Sequence, residues 1–106
     1  MESFFWTLEI QQQLSKHLDL LNSYIKYNME IYLFGSAQWK VFPNDIDIAI
    51  LYPYSSMNTA QIVRDETVSI LQNAFSLTID SVLLSYEEDS QICFLSKEHA
   101  VKIFPI

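Results

Sequence analysis

The sequence predicts an α/β domain in which a mixed central β-sheet is flanked by helices. Apolar residues recur at helical spacing in two long segments, and short β-branched or aromatic runs lie between and after them. Half of the 106 residues are hydrophobic, which is enough to fill one core. Strand-like runs separated by helices favour an α/β sheet; the short loop between the first two runs predicts an antiparallel pair, so the sheet is mixed. The length fits a single domain, 1–106, with any further substrate-binding domain supplied by another molecule.

The elements follow in order. Trp6, Ile10, Leu14, Leu18, Leu21 and Ile25 share one face of a long first helix, opposite Gln11, Lys16, Asp19 and Lys26. Asn28 is suited to a left-handed stop, and residues 30–34 form the first strand. That strand ends at Gly35, the single glycine of the chain, so the backbone there turns sharply or admits a close approach. After a loop containing Pro43, residues 45–52 read as a central strand, apolar from Ile46 to Leu51 except at Asp47. Pro53 ends it and Ser55 or Ser56 caps a second helix, whose apolar positions are Ala60, Val63, Thr67, Ile70, Leu71 and Ala74. Residues 77–84 form a third strand, Ser85 and Glu88 have the spacing of a capping box for a short helix, and Val101 to Phe104 form the last strand before Pro105.

Composition excludes several functions. With six basic and 13 acidic residues the net charge is −7, and no Lys/Arg cluster offers to neutralise a run of phosphates, so extended nucleic acid is not the expected partner. Apolar stretches stop well short of the roughly 20 residues that cross a bilayer, and no basic segment precedes an apolar signal core, so a cytoplasmic location without membrane attachment is expected. Cys93, between Ile92 and Phe94, reads as a small buried side chain. His17 and His99 lack partners at metal-ligand spacing and read as structural, and Arg64 as solvated or ion-paired. Apolar residues of the first helix serve either the core or a surface for a homo-oligomer or other partner; periodicity does not separate the two.

The chemistry-bearing residues are acidic. Asp45 and Asp47 stand two apart on a strand and point to the same side, their Cα atoms about 6.6 Å apart at roughly 3.3 Å per residue. Two short carboxylates so placed suit Mg²⁺, which takes carboxylate, water and phosphate oxygens. Asp80 interrupts the third strand, where burial without a partner would be costly. Each has a structural account taken singly: a turn cap, an ion-pair partner, a strand-end residue facing water. A Gly-Ser turn, two aspartates heading the next strand and a third in a later strand can instead converge on one metal-phosphate cluster.

The stretch Phe34-Gly35-Ser36-Ala37, then Asn44-Asp45-Ile46-Asp47-Ile48-Ala49-Ile50, then Thr78-Ile79-Asp80-Ser81-Val82, resembles the signature of the DNA polymerase beta-type nucleotidyltransferase superfamily, nearest its minimal (MNT) members. The resemblance covers about residues 30 to 104 and implies the nucleotidyltransferase fold. It implies that Gly35 and Ser36 approach the phosphates of ATP or another NTP, and that Asp45, Asp47 and Asp80 hold Mg²⁺. With Asp80 helping to deprotonate an acceptor hydroxyl, the implied reaction is transfer of a nucleoside monophosphate, AMP foremost, to a protein or small molecule. The implied partner is a small helical HEPN-type protein, in a toxin-antitoxin pair. Lys40 stands where the family often has a second glycine, and the spacer Ala37 to Asn44, eight residues, is shorter than usual. Lys40 either adds a positive charge near the phosphates or is a solvated loop lysine, and Trp39 either stacks on a base or packs as an aromatic, the second of each being favoured. An inactive nucleotide- or partner-binding module on the same scaffold is the alternative reading.

Overall fold

A computed structural model describes residues 11–38 and 44–105. Trp6, Ile10, Trp39, Lys40 and Pro43 lie outside the described residues. The first helix, α1, is α-helical over 11–18 and continues in 3₁₀ geometry over Asp19–Tyr27. This change of pitch explains why one expectation fails. Leu14, Leu18 and Leu21 are buried, but Ile25 is 43% exposed. In a 3₁₀ turn every third side chain aligns, so the inward row after Leu18 and Leu21 continues through Tyr24 and Tyr27, which pack against the core. Asn28 ends the helix in the left-handed region (φ 59°), as its sequence position indicates, and its N–H donates to the Ile25 carbonyl at 3.0 Å.

Strand β1 (Glu30–Phe34) runs into a short 3₁₀ turn, Gly35–Gln38, and β2 (Asp45–Tyr52) returns antiparallel to it. Helix α2 (Met57–Phe75) carries the chain back so that β3 (Thr78–Ser85) lies parallel to β2. Two short helices, α3 (Tyr86–Ile92) and α4 (Phe94–Lys97), precede β4 (Val101–Phe104), which adds antiparallel to β1. The sheet order is β3-β2-β1-β4. The mixed α/β sheet is therefore as expected, including the antiparallel first pair. Among the described residues no helix is long and apolar enough to cross a membrane.

Strand alternation sorts the side chains. Ile31, Leu33, Ile46, Ile48 and Ile50 face α1 and α2 and form one buried cluster with Leu14, Leu18, Leu21, Ala60, Val63 and Leu71. Ala49 and Leu51 are buried on the opposite face. That face also carries Glu30, Tyr32 and Phe34 of β1, Asp45 and Asp47 of β2, and Asp80, Val82 and Leu84 of β3, as the strand register requires. Its cover is α3 and α4: the Phe94 ring meets Phe34 edge-on at 5.0 Å.

Four local expectations are corrected. Ser56 occupies the N-cap of α2 but makes no side-chain cap bond, because its backbone (φ −113°, ψ 27°) is not in the extended conformation usual at that position. Ile70 is only half-buried and Ala74 is exposed, so α2 buries a narrower stripe. The third strand begins one residue late, since Ser76 is left-handed (φ 55°) and closes α2. Cys93 is exposed rather than buried. It sits in the left-handed link between α3 and α4 (φ 56°), a corner that turns its side chain away from the sheet, and its neighbour Ile92 is 47% exposed.

The capping box at α3 forms as read from the sequence. Glu88 N–H donates to Ser85 Oγ at 3.1 Å, and Ser85 N–H donates to Glu88 Oε1 at 2.9 Å. Ser85 is buried, so Ser85→Ala leaves the Glu88 N–H without its acceptor; the expected loss is about 1–2 kcal/mol of unfolding free energy, measured by urea denaturation.

Candidate metal and phosphate site

The site lies where β1 ends and β2 and β3 begin. Register places Phe34 opposite Asp47, and Asp47 opposite Asp80, so three adjacent strands deliver residues to one spot. Asp45 stands two residues before Asp47 on the same face. The structure thus brings together all three sequence-predicted carboxylates, with one oxygen of each within 4.8 Å of the others. Asp45 and Asp47 are half-buried. Asp80 is exposed, because β3 is an edge strand; no burial penalty arises there, and its side chain faces water as the structural account allowed.

The neighbouring carboxylates and the burial of its strand act on Asp47, the central member of the three. Burial, followed by the charges of Asp45 and Asp80, holds the Asp47 carboxyl above the usual carboxylate range. Side-chain hydrogen bonding to Asp80 raises it further. Glu98, in the turn after α4, adds a further negative charge. No local pattern marks Glu98 in the sequence; it reaches the site only because β4 pairs with β1 beside it.

Gly35 is needed for two independent reasons. Its φ of +76° is in the left-handed region, and a Cβ on it would collide with Asp47 Oδ2 while lying 3.1 Å from Asp47 Cγ. The turn backbone therefore rests directly on the central carboxylate. Ser36 follows at the second position of the turn, half-buried.

Gln38 closes the turn. Its Nε2 donates to the Leu33 carbonyl at 3.1 Å and to the His99 carbonyl at 2.8 Å, tying the end of β1 to the segment that carries Glu98. His99, read from sequence as structural, contributes this acceptor from a left-handed residue (φ 51°). Gln38→Ala removes both bonds and is expected to cost about 1–3 kcal/mol and to speed amide exchange in Gly35–Gln38, observable by NMR.

The remaining candidates lie apart. His17 on α1 meets the Phe75 ring edge-on at 5.4 Å, and Arg64 pairs with Asp65 at 3.4 Å on the surface, both as expected of structural residues. Lys40, expected beside the phosphates, is outside the described residues. Compared with known proteins, the chain matches no family model, no curated protein and no solved structure.

Proposed function

We propose that this domain is a Mg²⁺-dependent nucleotidyltransferase of the polymerase beta type, moving a nucleoside monophosphate, AMP from ATP foremost, onto a hydroxyl. The observation that carries the reading is the convergence of the Asp45, Asp47 and Asp80 oxygens within 4.8 Å, beside a turn whose glycine admits no side chain. The donor set suits the ion: hard carboxylate oxygens from short side chains, with the Asp47 anion already disfavoured by burial and by the charges of Asp45 and Asp80. Asp45 and Asp47 would hold Mg²⁺ together with Asp80; bound there, the ion neutralises phosphate charge.

The chain's own groups then have distinct tasks. The Gly35–Gln38 turn offers backbone N–H groups and the Ser36 hydroxyl to phosphate oxygens. Asp80, the most accessible of the three, accepts the proton of the acceptor hydroxyl. The acceptor oxygen forms its bond to the α-phosphorus as the bond to the bridging oxygen breaks and pyrophosphate leaves. The acceptor is a protein or a small molecule, and the sequence resemblance extends the reading to a HEPN-type partner in a toxin-antitoxin pair.

The test is incubation with Mg²⁺ and each NTP, with candidate acceptors added, followed by intact-mass spectrometry for a gained nucleotide. Transfer that disappears in Asp45→Ala and Asp47→Ala supports the proposal. Nucleotide binding without transfer would leave the binding-module reading, and binding unchanged by both substitutions would remove the site.

A further inference from the structure

Among the described residues, β3 bonds only to β2, so its outer edge is unpaired. The edge is a regular one. All eight residues, Thr78–Ser85, keep step with β2 without a bulge, and the backbone groups that point outward form an even row. The strand holds no Lys, Pro or Gly, and its single charge, Asp80, stands near one end. Side chains beside the row are incompletely covered on both faces of the sheet. Val82 and Leu84 on the carboxylate face, and Ser81 and Leu83 on the helical face, are half-buried. On that helical face the Tyr24 hydroxyl of α1 donates to Glu66 Oε1 of α2 at 3.0 Å, while Ser15 ties α1 to β4. Val68, roughly 160° around α2 from Glu66 at 3.6 residues per turn, is therefore on the flank toward the free edge, half-buried.

The other edge is built differently. β4 has four residues, carries Lys102, pairs with β1 through a register shift between Ile31 and Tyr32, and is followed by Pro105.

We propose that two copies of this chain pair edge to edge through β3, antiparallel, joining two four-stranded sheets into one. An unpaired strand edge is satisfied by another strand edge, and a second copy supplies one of equal length and regularity. The two-fold axis stands perpendicular to the sheet and keeps each face on its own side, so opposed residues share a face and their numbers have an even sum. Centring on Val82 opposes residues 79–85: Val82 meets the partner's Val82, Leu83 meets the partner's Ser81, and Leu84 meets the partner's Asp80. Both half-buried leucines gain cover, and the Val68 flanks of the two α2 helices come together. The two Asp80 side chains then stand four residues apart along the strands, about 13 Å at roughly 3.3 Å per residue. Centring on Ser81 opposes as many residues but sets the two Asp80 on a diagonal about 7–8 Å apart, where like charges repel. Centring on Leu83 opposes only residues 81–85. Once β3 is used, the β4 edges are the ones left, and their length, charge and register shift resist addition, so assembly stops at two. The pairing rests on backbone groups; it needs neither metal nor nucleotide and stands apart from the proposed reaction.

The test is sedimentation equilibrium of the full chain from about 1 μM to about 1 mM. A monomer–dimer equilibrium is expected, about threefold tighter when salt rises from about 50 to about 300 mM, because each copy carries a net charge of −7. Val82→Lys, which places two ammonium groups at the axis, weakens the dimer at least about tenfold; Leu20→Lys, on the exposed side of α1, leaves it within about twofold. Register is read from single cysteines in a Cys93→Ser background. Under oxidation Val82→Cys crosslinks across the axis, where opposed Cα atoms are about 4.5–5.5 Å apart, and Leu84→Cys, about 13 Å from its copy, does not. A chain that stays monomeric to about 1 mM would leave the edge to some other strand and overturn the proposal. So would equal crosslinking at both positions, or a dimer that Leu20→Lys breaks and Val82→Lys spares.

Discussion

Asp47→Asn is expected to be more stable than the parent protein at neutral pH and, in the proposed reaction, to transfer nucleotide at least about a hundredfold more slowly, the scale seen when one preorganised charge-stabilising group is removed. Both effects come from the same carboxyl. Burial and the charges of Asp45 and Asp80 raise its folded-state pKa above the ordinary 3.8, so its contribution to stability is complete below that value and is lost as pH rises through the raised one. At neutral pH the ionised group therefore works against folding. Asn is neutral throughout and still offers a hydrogen bond to Asp80. The stability gap between variant and parent should open as pH increases across this window and close in acid, read from urea midpoints between about pH 3 and about pH 7. A gap independent of pH would mean that Asp47 is not held in a repulsive cluster. Added Mg²⁺ should narrow the gap by stabilising the parent alone, about 2.7 kcal/mol at a hundred times its Kd.

Gly35→Ala should be among the most damaging small substitutions in the protein. A left-handed non-glycine residue costs about 1–2 kcal/mol, and overpacking against Asp47 adds about 1–3 kcal/mol. A loss of about 3 kcal/mol would lower the melting temperature by roughly 15 °C in a domain of this size. The two contributions separate by a second substitution. The three atoms nearest the added Cβ all belong to the Asp47 side chain, so Asp47→Ala removes the collision with the carboxyl and leaves the residue-47 Cβ at 3.2 Å together with the backbone cost. The loss on Gly35→Ala should therefore shrink to about 1–2 kcal/mol in that background, a coupling readable from a four-protein thermal or urea cycle. Additive losses would show that the turn does not rest on the carboxylate.

Legibility in the sequence depended on how local each signal was. Asn28, the Ser85–Glu88 box and β4 each rest on a few adjacent residues, and each forms as read. Gly35, Asp45, Asp47 and Asp80 were legible because a lone glycine and charges inside apolar runs contradict their surroundings. Where tertiary context decides, the reading failed. The change of helical pitch in α1 exchanged Ile25 for Tyr24 and Tyr27, and no residue announces it. Cys93 has apolar neighbours in sequence, yet a left-handed corner exposes it. Asp80 lies in a strand whose edge position only the sheet order reveals. Glu98 and the Gln38 clamp depend on β4 crossing to the far side of β1, a pairing that no spacing in the sequence encodes.

The parallel pairing of β2 with β3 sets a time order on the site. Asp45 and Asp47 lie on β2, which pairs antiparallel with the strand that Gly35 follows, and this more local pairing is expected to form first, Asp80 joining once α2 has carried the chain back across the sheet. The step that completes the carboxylate set thus brings a third negative charge toward two already in place. Refolding should be fastest where that approach is least opposed, so modest salt or a divalent ion should speed the final docking of β3 more than it speeds the initial hairpin. In this chain the residues most suited to hold a cation are the ones whose assembly a cation would hasten.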